Sequence, residues 1–193
     1  AVADAAGRRK PWIAAFGLVL VLAAMTLWFG KPRDVGTIGL VLIAFAAAML
    51  AVEFATVFNN AMMPTLAPAE RLGRLSGTGW AIGYVGGILS LVLMLGWLVA
   101  SPETGRTLLG FKPLFGLDPA LREGDRAAGP FTALWFVVFV VPLFLFTPDQ
   151  PRKLPLGAAV RRGLAMLADS LRRLRRDRNT ALFLVANMIY TDG

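Results

Sequence analysis

Apolar positions along this chain gather into four long runs, Trp12–Phe29, Val35–Asn60, Thr78–Ala100 and Pro130–Thr147, separated by stretches that carry most of the charge. Each run offers about the twenty residues that a helix needs to cross a hydrocarbon core of about 30 Å. The last run is rich in Phe and Val and would suit a strand in water. In lipid an unpaired strand leaves its backbone unsatisfied, so a helix is expected there too, kinked at Pro142. Between Pro155 and Arg178 the pattern changes. Leu156, Val160, Leu164, Leu167, Leu171 and Leu174 recur at steps of three and four with arginines opposite, which predicts an amphipathic basic helix. A fifth apolar run opens at Thr180, behind Asn179 as the expected N-cap, and is too short to span when the sequence stops at Gly193. Rising about 1.5 Å per residue from the membrane face, it brings Asp192 to the bilayer midplane, so the sequence reads as a piece of a longer protein.

Composition supports this pattern. Hydrophobic residues make up 56% of the chain and the mean hydropathy is +0.63, which leaves too little polar surface for a soluble domain of 193 residues. There is no cysteine and no histidine, so disulfides, thiol nucleophiles, imidazole bases and the usual zinc and haem ligands are excluded. No metal or cofactor is expected. The net charge of +8 would suggest nucleic acid in a soluble protein, but here the cations flank apolar spans and topology accounts for them.

Counting Lys and Arg in the connections gives fourteen on one side, at Arg8–Lys10, Arg71 and Arg74, and along Arg152–Arg178, against six on the other. The positive-inside rule therefore puts the N-terminus and the basic segment in the cytoplasm. The expected organisation is a cytoplasmic loop at 1–11, membrane helices within 12–147, a cytoplasmic amphipathic linker at 148–179 and the start of a further span at 180–193. The linker is expected to lie on anionic lipid of the inner leaflet. The outer loop from Ser101 to Gly129 balances its four cations with four acids, as a solvated loop would.

Within the spans, Glu53 is the one ionisable residue of the four complete runs. A carboxylate at that depth is costly and by default faces a partner, a cavity or a proton path. Thr56 and Asn60 share its helix face. Asp192, one turn beyond Asn187 and Met188 and next to Gly193, is the better candidate for a substrate or coupling site, because transporters bind near the midplane at helix interruptions. Gly79, Gly83 and Gly87, with Gly86 beside them, form a smooth face suited to close helix approach, either as static packing or as a sliding surface.

The opening stretch "ADAAGRRK" resembles the loop between the second and third helices of the major facilitator superfamily, with Asp4, Gly7, Arg8 and Arg9 on its acid, glycine and basic positions. Four further stretches, "GRRKPW", "NNAMMPTLAP", "ERLGRLSGTGWAIGYVGG" and "NMIYTDG", are similar to its vacuole-effluxer-like branch. The resemblance implies an all-α membrane protein, a partial major facilitator fold with helices three to six complete and helix seven begun, in a bacterial inner membrane. It implies secondary transport of a small solute, with amino-acid efflux assigned to fungal relatives. It also implies that Asp4, Gly7, Arg8 and Arg9 form a cytoplasmic gate. Tyr84 joins Glu53, Asn60, Asn187 and Asp192 among the candidate residues for substrate or coupling. The partners implied are the small-molecule substrate, the bilayer and the remaining helices of the same protein. Two other function classes are weighed beside this. A four-span scaffold would use the basic helix to recruit lipid or a partner, and an intramembrane enzyme would have to rely on Glu53 and Asp192 alone.

Overall fold

The computed structural model describes residues 2–32, 34–151 and 153–192, without the side chains of Leu156, Arg175, Arg176, Thr191 and Asp192. They form two compact units, residues 9–148, and residues 1–8 together with 149–193. The fold is all-α, with no strand among the described residues.

In the larger unit, α2 (Lys10–Thr26) runs on into a 3-10 turn, Leu27–Phe29, and is followed by α3 (Val35–Asn60) and the short α4 (Met63–Leu66). Next come α5 (Ala69–Leu93), extended by a π turn over Met94–Leu98, then α6 (Glu123–Arg126) and α7 (Ala128–Phe146). Four helical stretches, Lys10–Phe29, Val35–Leu66, Ala69–Leu98 and Glu123–Phe146, are long and apolar enough to cross a membrane, and the chain is an integral membrane protein. The bounds of α3 coincide with the expected run. Asp34 starts it as N-cap, its carboxylate accepting from the amide of Gly36 at 3.0 Å.

α5 begins earlier than Thr78, and the residues expected in a loop, Glu70, Arg71, Gly73 and Arg74, occupy its first turns. Pro68, extended at φ −65° and ψ 156°, opens the helix, and Glu70 complements the dipole in its first turn. A helix does not have to end where the hydrocarbon ends, so charge alone misplaced this boundary. Pro142 lies inside α7, which continues through it to Phe146 and gives up one backbone bond.

α2 packs between α3 and α7. Its contact with α3 is an alanine seam. Ala44, Ala48, Ala51 and Ala55 are buried at alternating steps of four and three, the spacing that keeps one stripe on a neighbour crossing at a shallow angle. Small side chains let the backbones come close, which is where van der Waals attraction between helices in lipid is won. Leu20 and Ala23 of α2 fill against Ala48 and Ala51. Toward the start of α2, Phe16 stacks on Phe54 at 4.9 Å and on Phe58 at 5.8 Å, and Trp12 stacks on Phe58 at 5.8 Å. Against α7, Gly17 lies under the Phe136 ring and Gly129 lies against the backbone carbonyl of Ala24.

Both ends of the α2–α7 pair are closed by a cation. Lys10, in the first turn of α2, donates Nζ–H to the carbonyl of Phe144 in the last turn of α7 at 2.8 Å. Arg126, just ahead of α7, donates Nε–H to the carbonyl of Trp28 beyond the end of α2, also at 2.8 Å, with its guanidinium 4.8 Å over the Trp28 ring. Terminal carbonyls have no partner within their own helix, and a cation satisfies them with the favourable end of the dipole.

The segment after the π turn is less loop-like than expected. The amide of Leu108 donates to the carbonyl of Leu95 at 3.0 Å, Leu109 lies over Gly96, and Gly124 sits against the Leu98 carbonyl. Arg122, in the left-handed region at φ 51°, pairs with Asp125 at 2.7 Å. Arg126 serves as a helix cap as well as approaching Glu123 at 3.9 Å.

The smaller unit holds α1 (Val2–Ala6), α8 (Leu156–Arg176) and α9 (Arg178–Asp192). α8 matches the expected amphipathic helix. α9 starts two residues before Thr180, and its N-cap is Asp177, not Asn179. The Asp177 carboxylate accepts from the Thr180 amide at 3.2 Å and the Thr180 hydroxyl at 2.6 Å. Asn179 has already entered the helix at its second position, so it cannot act as the cap.

The cation caps predict a stability pattern. Lys10→Met and Arg126→Gln should each cost about 1–2 kcal/mol, the scale of a hydrogen bond to a charged group that is partly exposed. Each should lower the apparent melting temperature of the full-length protein in detergent. Lys112→Met, at an exposed position, should leave it unchanged.

Candidate functional site

In the smaller unit, the acid-glycine-arginine stretch is built onto the start of the basic linker. α1 buries Ala3 and Ala5 and leaves Asp4 exposed. The chain then turns at Gly7, whose amide donates to the Ala3 carbonyl at 2.9 Å and whose φ is +89°. A side chain is excluded there twice over. The left-handed region disfavours one, and a Cβ would lie 2.5 Å from the Pro151 carbonyl oxygen. Beside it, the Lys153 amide donates to the Ala6 carbonyl at 2.9 Å, and Arg8 Nε stands 3.6 Å from the Asp149 carboxylate. Asp149 is largely buried and also accepts from the Gln150 amide at 2.9 Å.

Gly7, Arg8, Asp149 and Lys153 thus make one clasp. Asp149 is not among the residues expected from the sequence; its one mark there is an acid two residues after the last apolar run. Arg9 is half-buried at the boundary of α2 and takes part in interactions of its own.

α1 rests on one edge of α8. Val2 lies against Gly163, where a Cβ would be 2.6 Å from the valine methyl, and Ala159 is fully buried. Past α8, Asp177 holds the turn into α9. The Thr180 hydroxyl, then its amide, hold the Asp177 carboxyl below the usual carboxylate range. On α9, Asn187 is exposed. Asp192 ends the helix, but its side chain and the whole of Gly193 lie outside the described residues.

In the larger unit, Glu53, Thr56 and Asn60 are exposed on α3. Helical spacing sets them opposite the alanine seam, so they point away from α2. Tyr84 is exposed on α5 with its ring 6.2 Å from Trp80. Nothing among the described atoms comes within 4 Å of a Cβ built at Gly79, Gly83, Gly86 or Gly87. The main contacts of α5 are with its sequence neighbours, α4 and the π turn. The structure therefore leaves the Glu53 stripe and the glycine face both uncovered and does not join them into one pocket. Among the described residues no three acids come together as a metal site.

Compared with known proteins, the whole chain, residues 1–193, matches the family model described as "Vacuole effluxer Atg22 like". A curated protein of Bacillus subtilis (strain 168), "Uncharacterized MFS-type transporter YxiO", is 22% identical over 155 residues, covering 80% of this chain and 33% of that protein. The chain thus spans about a third of the length of the curated relative it matches. No solved structure matches it.

The Asp177 cap carries a pH signature. A carboxyl lowered by its native contacts stabilises the helix start above the ordinary Asp range of about 3.9. That contribution is lost as acid titrates the group through its lowered value. Asp177→Ala should speed hydrogen exchange at the Thr180 amide severalfold at neutral pH. Wild type should approach the same rate, corrected for intrinsic exchange, only in strong acid.

Proposed function

The chain belongs to the Atg22-like vacuole effluxer family, and from that premise we propose that it forms helices three to six and the start of helix seven of a twelve-helix transporter. The transporter carries a small solute across the membrane by alternating access, without bond chemistry. The observation that carries this reading is the family match over the whole chain, on a stretch with four helices able to span a membrane. The curated relative is itself described as an MFS-type transporter, and the present chain corresponds to about a third of it. The membrane is the bacterial inner membrane, with the basic ends of the helices in the cytoplasm.

In this reading the uncovered surfaces have work to do. The Glu53–Thr56–Asn60 stripe turns toward the transport cavity, where a carboxylate can engage an ammonium group or a coupling proton. Asp192 and Asn187 of α9 contribute from the other half of the protein, and Tyr84 lies on the helix that meets it. The glycine face of α5 is the surface along which the halves rock. Amino acids are the first substrates to try, since a zwitterion would use the carboxylates at its ammonium end.

The test is counterflow of amino acids and sugars into proteoliposomes holding the full-length protein. Glu53→Gln and Asp192→Asn should each lower uptake at least tenfold at normal membrane insertion. Gly83→Leu should do the same, since a leucine stops the sliding but leaves each half intact. Undiminished uptake in both carboxylate variants would overturn the proposed site, loss of expression in Gly83→Leu would assign the glycines to static packing, and normal transport by that variant would overturn the sliding face.

A further inference from the structure

One strongly charged surface remains outside the transport reading. α8 carries its apolar positions Val160, Leu164, Leu167 and Leu171 in one stripe, and these side chains are 39, 58, 50 and 55% exposed. Residues of that kind on a 21-residue helix are unusual unless something covers them. α1 does not. Val2 of α1 meets α8 at Gly163 on the adjoining edge, where Ala159 is buried too, and the larger apolar side chains stay open.

Charge indicates the cover. Residues 152–178 hold nine cations and two acids, Asp169 and Asp177. Asp169 lies 3.7 Å from Arg172, and Asp177 is engaged with Thr180. By helical spacing, Arg161, Arg162, Arg172 and Arg173 fan across the face opposite the leucines, with their long stems free to reach past the apolar border. An apolar stripe flanked by a surplus of cations complements a leaflet whose headgroups are anionic and whose interior is hydrocarbon. The chain also delivers α8 to such a surface, since only residues 147–155 separate it from the membrane-spanning α7 and α9 follows at once.

We infer that α8 seats its Val160–Leu171 stripe in an anionic leaflet of the bilayer and, through Val2, Ala6 and Arg8, holds the acid-glycine-arginine loop at that surface. The loop is tied to the helix itself by Val2 on Gly163, and to the segment leading into the helix by Ala6 bonded to Lys153 and Arg8 paired with Asp149. When the leaflet captures the helix, the loop is captured with it. The loop proposed as a gate is then sensitive to the lipid beside it, an extension that rests on the transport reading, whereas lipid capture itself does not.

The test uses the full-length protein on a cysteine-free background, with a nitroxide at Leu167→Cys, in nanodiscs of phosphatidylcholine alone or mixed with phosphatidylglycerol. The ratio of oxygen to aqueous nickel accessibility should rise severalfold when phosphatidylglycerol is present. Substituting Arg161, Arg162, Arg172 and Arg173 together by Gln should remove that dependence. A second label at Asp4→Cys should lose mobility in the anionic discs, and Gly7→Val should restore its mobility with the Leu167 label still in lipid. The inference is overturned if the Leu167 label is equally wet in both discs, or equally shielded in both, as another protein segment covering the stripe would make it. It is also overturned if the glutamine variant keeps the lipid dependence, or if the Asp4 label ignores lipid composition. No transport is measured, so failure of the transport reading would register separately.

Discussion

A helix in lipid satisfies every backbone group except those at its ends, and the arrangement of this protein's larger unit follows from how two of those ends are treated. α2 and α7 run side by side, and each sends a cation from its own beginning to the last carbonyls of the other, Lys10 to Phe144 and Arg126 to Trp28. Water is scarce at such a boundary, so a bare carbonyl there costs more than one at the end of a soluble helix. With both ends closed, the middle of the pair can be packed on small residues. Gly17 takes the Phe136 ring and Gly129 meets the Ala24 carbonyl, contacts that any larger side chain would push apart. The alanine seam then adds α3 on the other side of α2.

Much of this fold was legible from hydrophobic runs, because in a membrane they are both the folding signal and the environment. α3 was legible to the residue from the extent of its apolar run alone, and the structure adds the chemistry of its start, the Asp34 cap. The start of α5 was not. Glu70, Arg71 and Arg74 looked like a connection, and nothing in hydropathy distinguishes a charged loop from charged helical turns standing beyond the hydrocarbon. The N-cap of α9 was assigned two residues late because Asp177 and Asn179 are both good caps and only geometry decides between them. The α2–α3 seam is present in the sequence as alanines at 44, 48, 51 and 55, but such spacing names no partner helix, and only packing shows that the stripe meets α2.

The candidate site divides in the same way. Gly7 was marked by resemblance, and the structure supplies the physical reason, a left-handed turn pressed on the Pro151 carbonyl. Arg8's partner Asp149 lies far away in sequence, marked there only as an acid just past the last apolar run, and its pairing is a tertiary fact. Lys10 and Arg126 were read as topology and charge balance, which is all that a cation's position along a chain can say; which carbonyl it reaches is a tertiary fact. Glu53 stands exposed on the bare side of α3, so its partners are not supplied by the segments this chain packs around it.

The paired caps have a consequence for how these two helices can vary. Lys10 is separated from Trp28, and Arg126 from Phe144, by the same number of positions, eighteen. At about 1.5 Å per residue that is about 27 Å, close to the thickness of a hydrocarbon core. One residue inserted into either helix would swing its terminal carbonyl about 100° around the axis and off the waiting cation. The two spans are therefore locked to a common length, and relatives adapted to thicker or thinner bilayers would have to lengthen or shorten both at once.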